Sequence, residues 1–147
     1  MDSDLEFDIN EILSEIKDID IKTTEDIYTR NNEILDLVYS KFIKYDKNIE
    51  NKKKAKENIF NLEYEYVENL SDLKARDSFF GINLSNFYDL KLEYLGIFIK
   101  IKDNNLYTTK FRRFYQIRYD NYIFFRKLNS KNKVQLLLLD SINKINK

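Results

Sequence analysis

Leu106-Tyr107-Thr108-Thr109-Lys110-Phe111-Arg112-Arg113-Phe114-Tyr115-Gln116-Ile117-Arg118-Tyr119 is the longest strand-like segment of the chain, with no Gly, Pro or Asn-Gly pair to interrupt it. Read as one strand, its side chains alternate between two faces. Thr108, Lys110, Arg112, Phe114, Gln116 and Arg118 then share one face, and Tyr107, Thr109, Phe111, Arg113, Tyr115, Ile117 and Tyr119 share the other. The second set is mostly apolar and is predicted to meet a core, with Arg113 the one member that needs a carboxylate or a rim position. The first set is basic and aromatic and is predicted to face solvent.

The period of two continues on both sides of this segment. Tyr88, Leu90, Leu92 and Tyr94 alternate with Asp89, Lys91 and Glu93, and Gly96 precedes Ile97-Phe98-Ile99-Lys100-Ile101-Lys102. Asp103-Asn104-Asn105 and Asp120-Asn121 read as turns, and Tyr122 to Leu128 as a last strand. These pieces predict a four-stranded antiparallel meander, with the sheet confined to residues 85–130. Beyond it, Val134, Leu137, Leu138, Ile142 and Ile145 recur at helical spacing, predicting a C-terminal helix over Lys133 to Asn146 that covers one face of the sheet.

Towards the N-terminus the period becomes helical. Ser3-Asp4-Leu5-Glu6 has the form of a capping box ahead of Ile9, Ile12, Leu13 and Ile16, and Thr23-Thr24-Glu25-Asp26 marks a second helix start. From there Ile27, Ile34, Val38, Phe42, Tyr45, Ile49, Ile59, Tyr66, Leu70 and Leu73 follow a three-and-four spacing. Asn31, Lys52, Lys56 and Glu63 fill the other seam positions. The polar cluster near Lys52 predicts a break between Asp46 and Lys54, hence an antiparallel helical hairpin; one continuous helix used in a dimer is the alternative. The boundary falls between Ala75 and Asn86, where the helical period is lost and Gly81 appears. The fold class expected is α+β, an acidic helical region over 1–75 and a basic sheet with its helix over 85–147, together one compact unit.

Composition narrows the chemistry. At 147 residues, with 43% hydrophobic residues, eleven Phe and eleven Tyr, the chain has enough apolar surface for one core. It contains neither Cys nor His, which removes thiolate chemistry, disulfides and the commonest general base and metal ligand. With Gly81 and Gly96 the only glycines, no phosphate-cradling loop can be written. The acidic start lacks the pattern of a secretory signal, and the longest apolar runs fall far short of the ~20 residues that span a bilayer. No membrane association and a cytoplasmic or host-cytoplasmic location are therefore expected. The abundance of Lys, Asn, Ile and Tyr and the absence of Pro fit AT-rich codon usage.

Charge is distributed unevenly. Residues 1–70 hold 18 acids and 10 bases, net −8, whereas residues 71–147 hold 7 acids and 15 bases, net +8. Such asymmetry suits either attraction between the halves or an anionic partner for the basic one. Lys110, Arg112, Phe114 and Arg118, joined by Phe98, Lys100, Lys102, Phe124 and Arg126 from neighbouring strands, are the candidate binding surface. Cations that neutralise phosphates, set among rings that stack on bases, make up a single-stranded nucleic-acid platform. The plain alternative is the polar outer face of any antiparallel sheet. A protein partner, or a homodimer through residues 24–73, is the second functional expectation. A metal-dependent nuclease built on Asp77, Asp89 and Lys91 is a remote third. The expectation is thus a non-enzymatic binding protein that needs no cofactor.

Overall fold

The computed structural model describes residues 24–128 together with Leu138 and Ser141. The expected first helix after Ser3 lies outside the described residues, as does the C-terminal helix apart from Leu138 and Ser141. The chain divides into two compact units, one made by Tyr28–Lys127 and the other by the two chain ends. The larger unit is α+β: helices α1 (Thr24–Ser40, its first four residues belonging to the other unit) and α2 (Asp46–Asn61) precede strands β1 (Tyr64–Tyr66), β2 (Ser78–Asn83), β3 (Leu92–Lys102), β4 (Asn105–Lys110), β5 (Arg113–Arg118) and β6 (Tyr122–Lys127). Among the described residues, no helix is long and apolar enough to cross a membrane.

The expected helical hairpin is present, but its break and phase differ from the seam. Residues 41–45 form the turn, ahead of rather than within Asp46 to Lys54. Three contacts make the helices antiparallel neighbours: Asp36 bonds Lys56 at 2.7 Å and Lys52 at 3.0 Å, and the Tyr28 and Phe60 rings lie 5.0 Å apart. Asn48, a polar residue outside the seam, is fully buried, whereas seam residue Ile49 is 58% exposed. The Asn48 amide explains both. Its Nδ2 donates to Phe42 O (3.0 Å) and Phe87 O (2.8 Å), and its Oδ1 accepts the Leu90 N–H (2.8 Å). It thereby satisfies backbone groups of the interhelical turn and of the loop before β3, which no apolar side chain can do. α2 ends where Glu63 takes the left-handed conformation usually given to Gly.

The sheet has six strands in the order β1-β6-β2-β3-β4-β5, every neighbouring pair antiparallel. It is larger than the expected four-stranded meander, because β1 and β2 come from residues 64–83, ahead of residue 85. Only β2 to β5 form a meander; β6 returns to pair with β2. Asn31 shields the β1 edge by imitating a neighbouring strand, donating to Tyr64 O and accepting the Tyr66 N–H, both at 2.8 Å.

The link from β5 to β6 forces the sheet to curl. Four strand spacings of ~4.8 Å would separate these strands by about 19 Å in a flat sheet. The segment from Arg118 to Tyr122 reaches at most about 14 Å. Bulges in β3 at Leu95 and Ile99 supply the bend. The inner face of the curl holds Val67, Leu73, Phe79, Leu95, Phe98, Leu106 and Phe124. On the outer face, the helices bury Leu35, Tyr39, Ala55 and Ile59 against Tyr64, Ile82, Leu90 and Phe125. At ~1.5–3 kcal/mol for each large apolar side chain, these two clusters hold the unit together.

Candidate functional site

The segment Leu106 to Tyr119 is a hairpin, not one strand. It turns at Phe111 and Arg112, whose φ values of 51° and 64° are those of a two-residue type I′ connection. Lys110 pairs with Arg113, Thr109 with Phe114, Thr108 with Tyr115, Tyr107 with Gln116, Leu106 with Ile117 and Asn105 with Arg118. Opposed residues share a face, so the turn reverses the phase that a continuous strand would keep. Thr108 and Lys110 belong to the inner face with Tyr115 and Ile117. Phe114, Gln116 and Arg118 belong to the outer face with Tyr107 and Thr109. Arg112 lies in the turn itself.

A second phase change occurs in β3. Phe98 pairs with Thr108, but Lys100 pairs with Tyr107, because Ile99 is an extra residue in the ladder. Phe98 is therefore inside, 7% exposed, while Lys100 and Lys102 lie on the outer face. Phe124 is likewise in the inner core at 3% exposure and packs on Phe79. Neither ring belongs to an exposed surface. Arg126 is committed within the fold: it bonds Glu65 at 2.7 Å, lies 3.8 Å from Asp77 and donates to the Asp72 carbonyl. It is a structural cation, the partner that a half-buried Arg requires.

Four of the expected residues thus come together on the outer face, beyond the part the helices cover: Lys100, Lys102, Phe114 and Arg118. Phe114 is 81% exposed. Tyr107, assigned to the core from its alternation, joins them half-buried, with the Lys100 Nζ 5.4 Å from its ring centroid. Arg118 is mostly exposed and meets Asp120 at 3.2 Å. The neighbouring turn adds Phe111 and Arg112, both exposed; exposed Arg113 and its opposite number Lys110, whose Nζ lies 5.7 Å from the Phe111 centroid, stand at the same tip on the inner-face side. From Ile97 to Arg118 there are six bases and a single acid, Asp103. The β3–β5 segment and its tip therefore carry concentrated positive charge among accessible rings. Tyr107 and Phe111 were legible as aromatics, but their place depended on a turn and a bulge that have no Gly or Asn to announce them.

Gly96 makes the close approach of β4 to β3 possible. Its φ is +102°, and a Cβ there would lie 2.3 Å from Thr109 O and 2.9 Å from the Lys110 Cβ. Under the same crossing, the buried Thr108 hydroxyl donates to Leu95 O at 2.6 Å.

The acids considered for a metal site are not neighbours. Asp77 precedes β2 and accepts the Lys74 N–H, whereas Asp89 follows β2, accepts Asn51 Nδ2 at 2.8 Å and pairs with Lys91 at 3.4 Å. The length of β2, roughly 20 Å, separates the two carboxylates. No group of three or more His, Cys, Asp or Glu positioned for a metal occurs among the described residues. The Asn51 hydrogen bond, helped by the Lys91 and Lys47 charges, holds the Asp89 carboxyl below its ordinary pKa against the raising effect of burial, as befits a paired structural acid. Comparison with protein-family models, with curated proteins and with solved structures found no match, so the functional reading rests on the surface formed by Lys100, Lys102, Tyr107, Phe114 and Arg118.

Proposed function

We propose that this chain is a non-enzymatic binding protein that holds single-stranded nucleic acid on the outer face of β3, β4 and β5. One observation carries the reading: Phe114 stands 81% exposed on the face that also presents Tyr107, Lys100, Lys102 and Arg118. An exposed Phe forfeits its burial energy, ~1.5–3 kcal/mol, and rings among cations offer stacking together with phosphate neutralisation. The outward curl of the sheet leaves this face convex, which suits an extended strand whose bases are already unpaired.

The test is fluorescence anisotropy with a labelled oligothymidine. Affinity is expected to fall as salt rises, because each neutralised phosphate releases counterions. Lys100→Glu, Lys102→Glu and Arg118→Glu together should reduce the salt slope by about 2 or more. Phe114→Ala should cost roughly 1–3 kcal/mol with the slope nearly unchanged. Absence of saturable binding at low salt, or a triple variant that binds like the parent, would refute the reading.

A protein partner on the helical hairpin is the second reading. It is favoured by Phe60, exposed at a cleft of about 340 Å³ that it lines with Tyr28, Asn31, Lys56 and Ile59. Capture of a partner that Phe60→Asp abolishes would support it.

A further inference from the structure

Two bulky residues occupy a turn of the type that most favours Asn-Gly. Phe111 and Arg112 hold φ values of 51° and 64°, where a Cβ crowds the following carbonyl and where Gly, Asn and Asp are the usual occupants. The preceding hairpin shows the ordinary solution: Asp103 and Asn104, at φ 55° and 61°, join β3 to β4. No core packing offsets the cost at Phe111, which is 80% exposed. One side of its ring meets Lys110, while Arg112 and Arg113 beside it make no ion pair among the described residues. A conformationally costly turn that exposes an aromatic ring flanked by three cations is a place where strain points to use.

We infer that the Phe111–Arg112 turn is a second stacking station, which extends the single-strand track from the outer face of the sheet onto the hairpin tip. An unpaired base would stack on the ring side opposite Lys110, and the guanidinium groups of Arg112 and Arg113 would hold the flanking phosphates. The Lys110 ammonium beside the ring, with exposed Arg112 and Arg113 next to it in the chain, favours an anionic strand over an apolar protein groove. This inference rests on the function proposed above.

The decisive variant is Phe111→Asn, which relieves the turn while removing the ring and no charge. The Asn variant is expected to unfold at a temperature higher by roughly 2–4 °C. It should bind oligothymidine about 5- to 100-fold more weakly, with an unchanged salt slope. Phe111→Tyr should retain affinity, and Arg112→Gly should lower the slope by about one unit. Stabilisation combined with loss of affinity supports the inference. A lowered melting temperature in Phe111→Asn would remove the premise of strain. Unchanged affinity in Phe111→Asn alongside weakened binding in Phe114→Ala would leave the sheet face as the site and overturn the turn's role. Unchanged affinity in both variants would overturn the two proposals together. Binding to anionic vesicles that Phe111→Asn abolishes, with no oligonucleotide binding, would assign the turn to a membrane surface and overturn the inference.

Discussion

Replacing Asn48 by Ala removes three hydrogen bonds to the backbone at one point in the fold, leaving the Phe42 carbonyl only the Tyr45 N–H at 3.3 Å. The Leu90 N–H is buried, and its loss of an acceptor costs about 1–3 kcal/mol. The carbonyls of Phe42 and Phe87 are half-buried, and at ~0.5–1 kcal/mol each they bring the expected cost to roughly 2–5 kcal/mol. Against a total stability of about 5–15 kcal/mol for a domain, that is a large share. Asn48→Asp should cost more than Ala at neutral pH, because a carboxylate oxygen would face two carbonyl oxygens in place of a donor. Ile49→Ala is the paired control. Its side chain is 58% exposed, so truncation should cost less than about 1 kcal/mol. Urea unfolding followed by circular dichroism measures all three through the midpoint, provided the m-value is unchanged. If Ile49→Ala destabilises as much as Asn48→Ala, α2 buries the face given by the three-and-four spacing, and the account of the interhelical turn is wrong.

Gly96→Ala should cost more than about 3 kcal/mol or prevent folding. The added Cβ meets the Thr109 carbonyl at 2.3 Å on a backbone with φ +102°, and soluble yield with thermal melting checks it. Stability should also fall in alkali. Burial, reinforced by the Asp89 charge, raises the pKa of the Tyr39 hydroxyl, which donates to Leu90 O at 2.6 Å; burial also raises Tyr64 and Tyr122. Unfolding lets these tyrosines ionise near pH 10 while the folded state keeps their protons. The stabilisation is therefore complete below about pH 10 and is lost as pH rises past it. Urea midpoints taken between pH 8 and 11 should show this decline, and a flat profile would contradict the burial of Tyr39. In the binding assay, Phe114→Ala and Phe111→Asn should each weaken oligothymidine binding, and only Phe111→Asn should raise the melting temperature.

The α+β class, the helical hairpin and the strands ending at Lys102 and beginning at Tyr122 were legible in the sequence, because amphipathic period follows from side-chain geometry alone. So was the concentration of Lys, Arg and aromatic residues between Ile97 and Arg118. What the period cannot carry is phase across an interruption that has no sequence marker. Phe111-Arg112 turns the chain without Gly or Asn, and Ile99 adds one residue to a ladder; each moves every later side chain to the other face. These two events divided the expected surface, separating Phe98 from Lys100 and Lys102 and bringing Tyr107 out beside Phe114; Phe124 lies inward because β6 pairs with β2. β1 and β2 escaped notice because three residues impose no period and because Phe79, Phe80 and Ile82 put apolar side chains on both faces of β2, so no alternation shows. Asn48 and Arg126 show the same division at single residues. Their polar chemistry was plain, but whether it meets solvent, ligand or a buried backbone group depends on contacts from distant parts of the chain, which tertiary structure alone supplies.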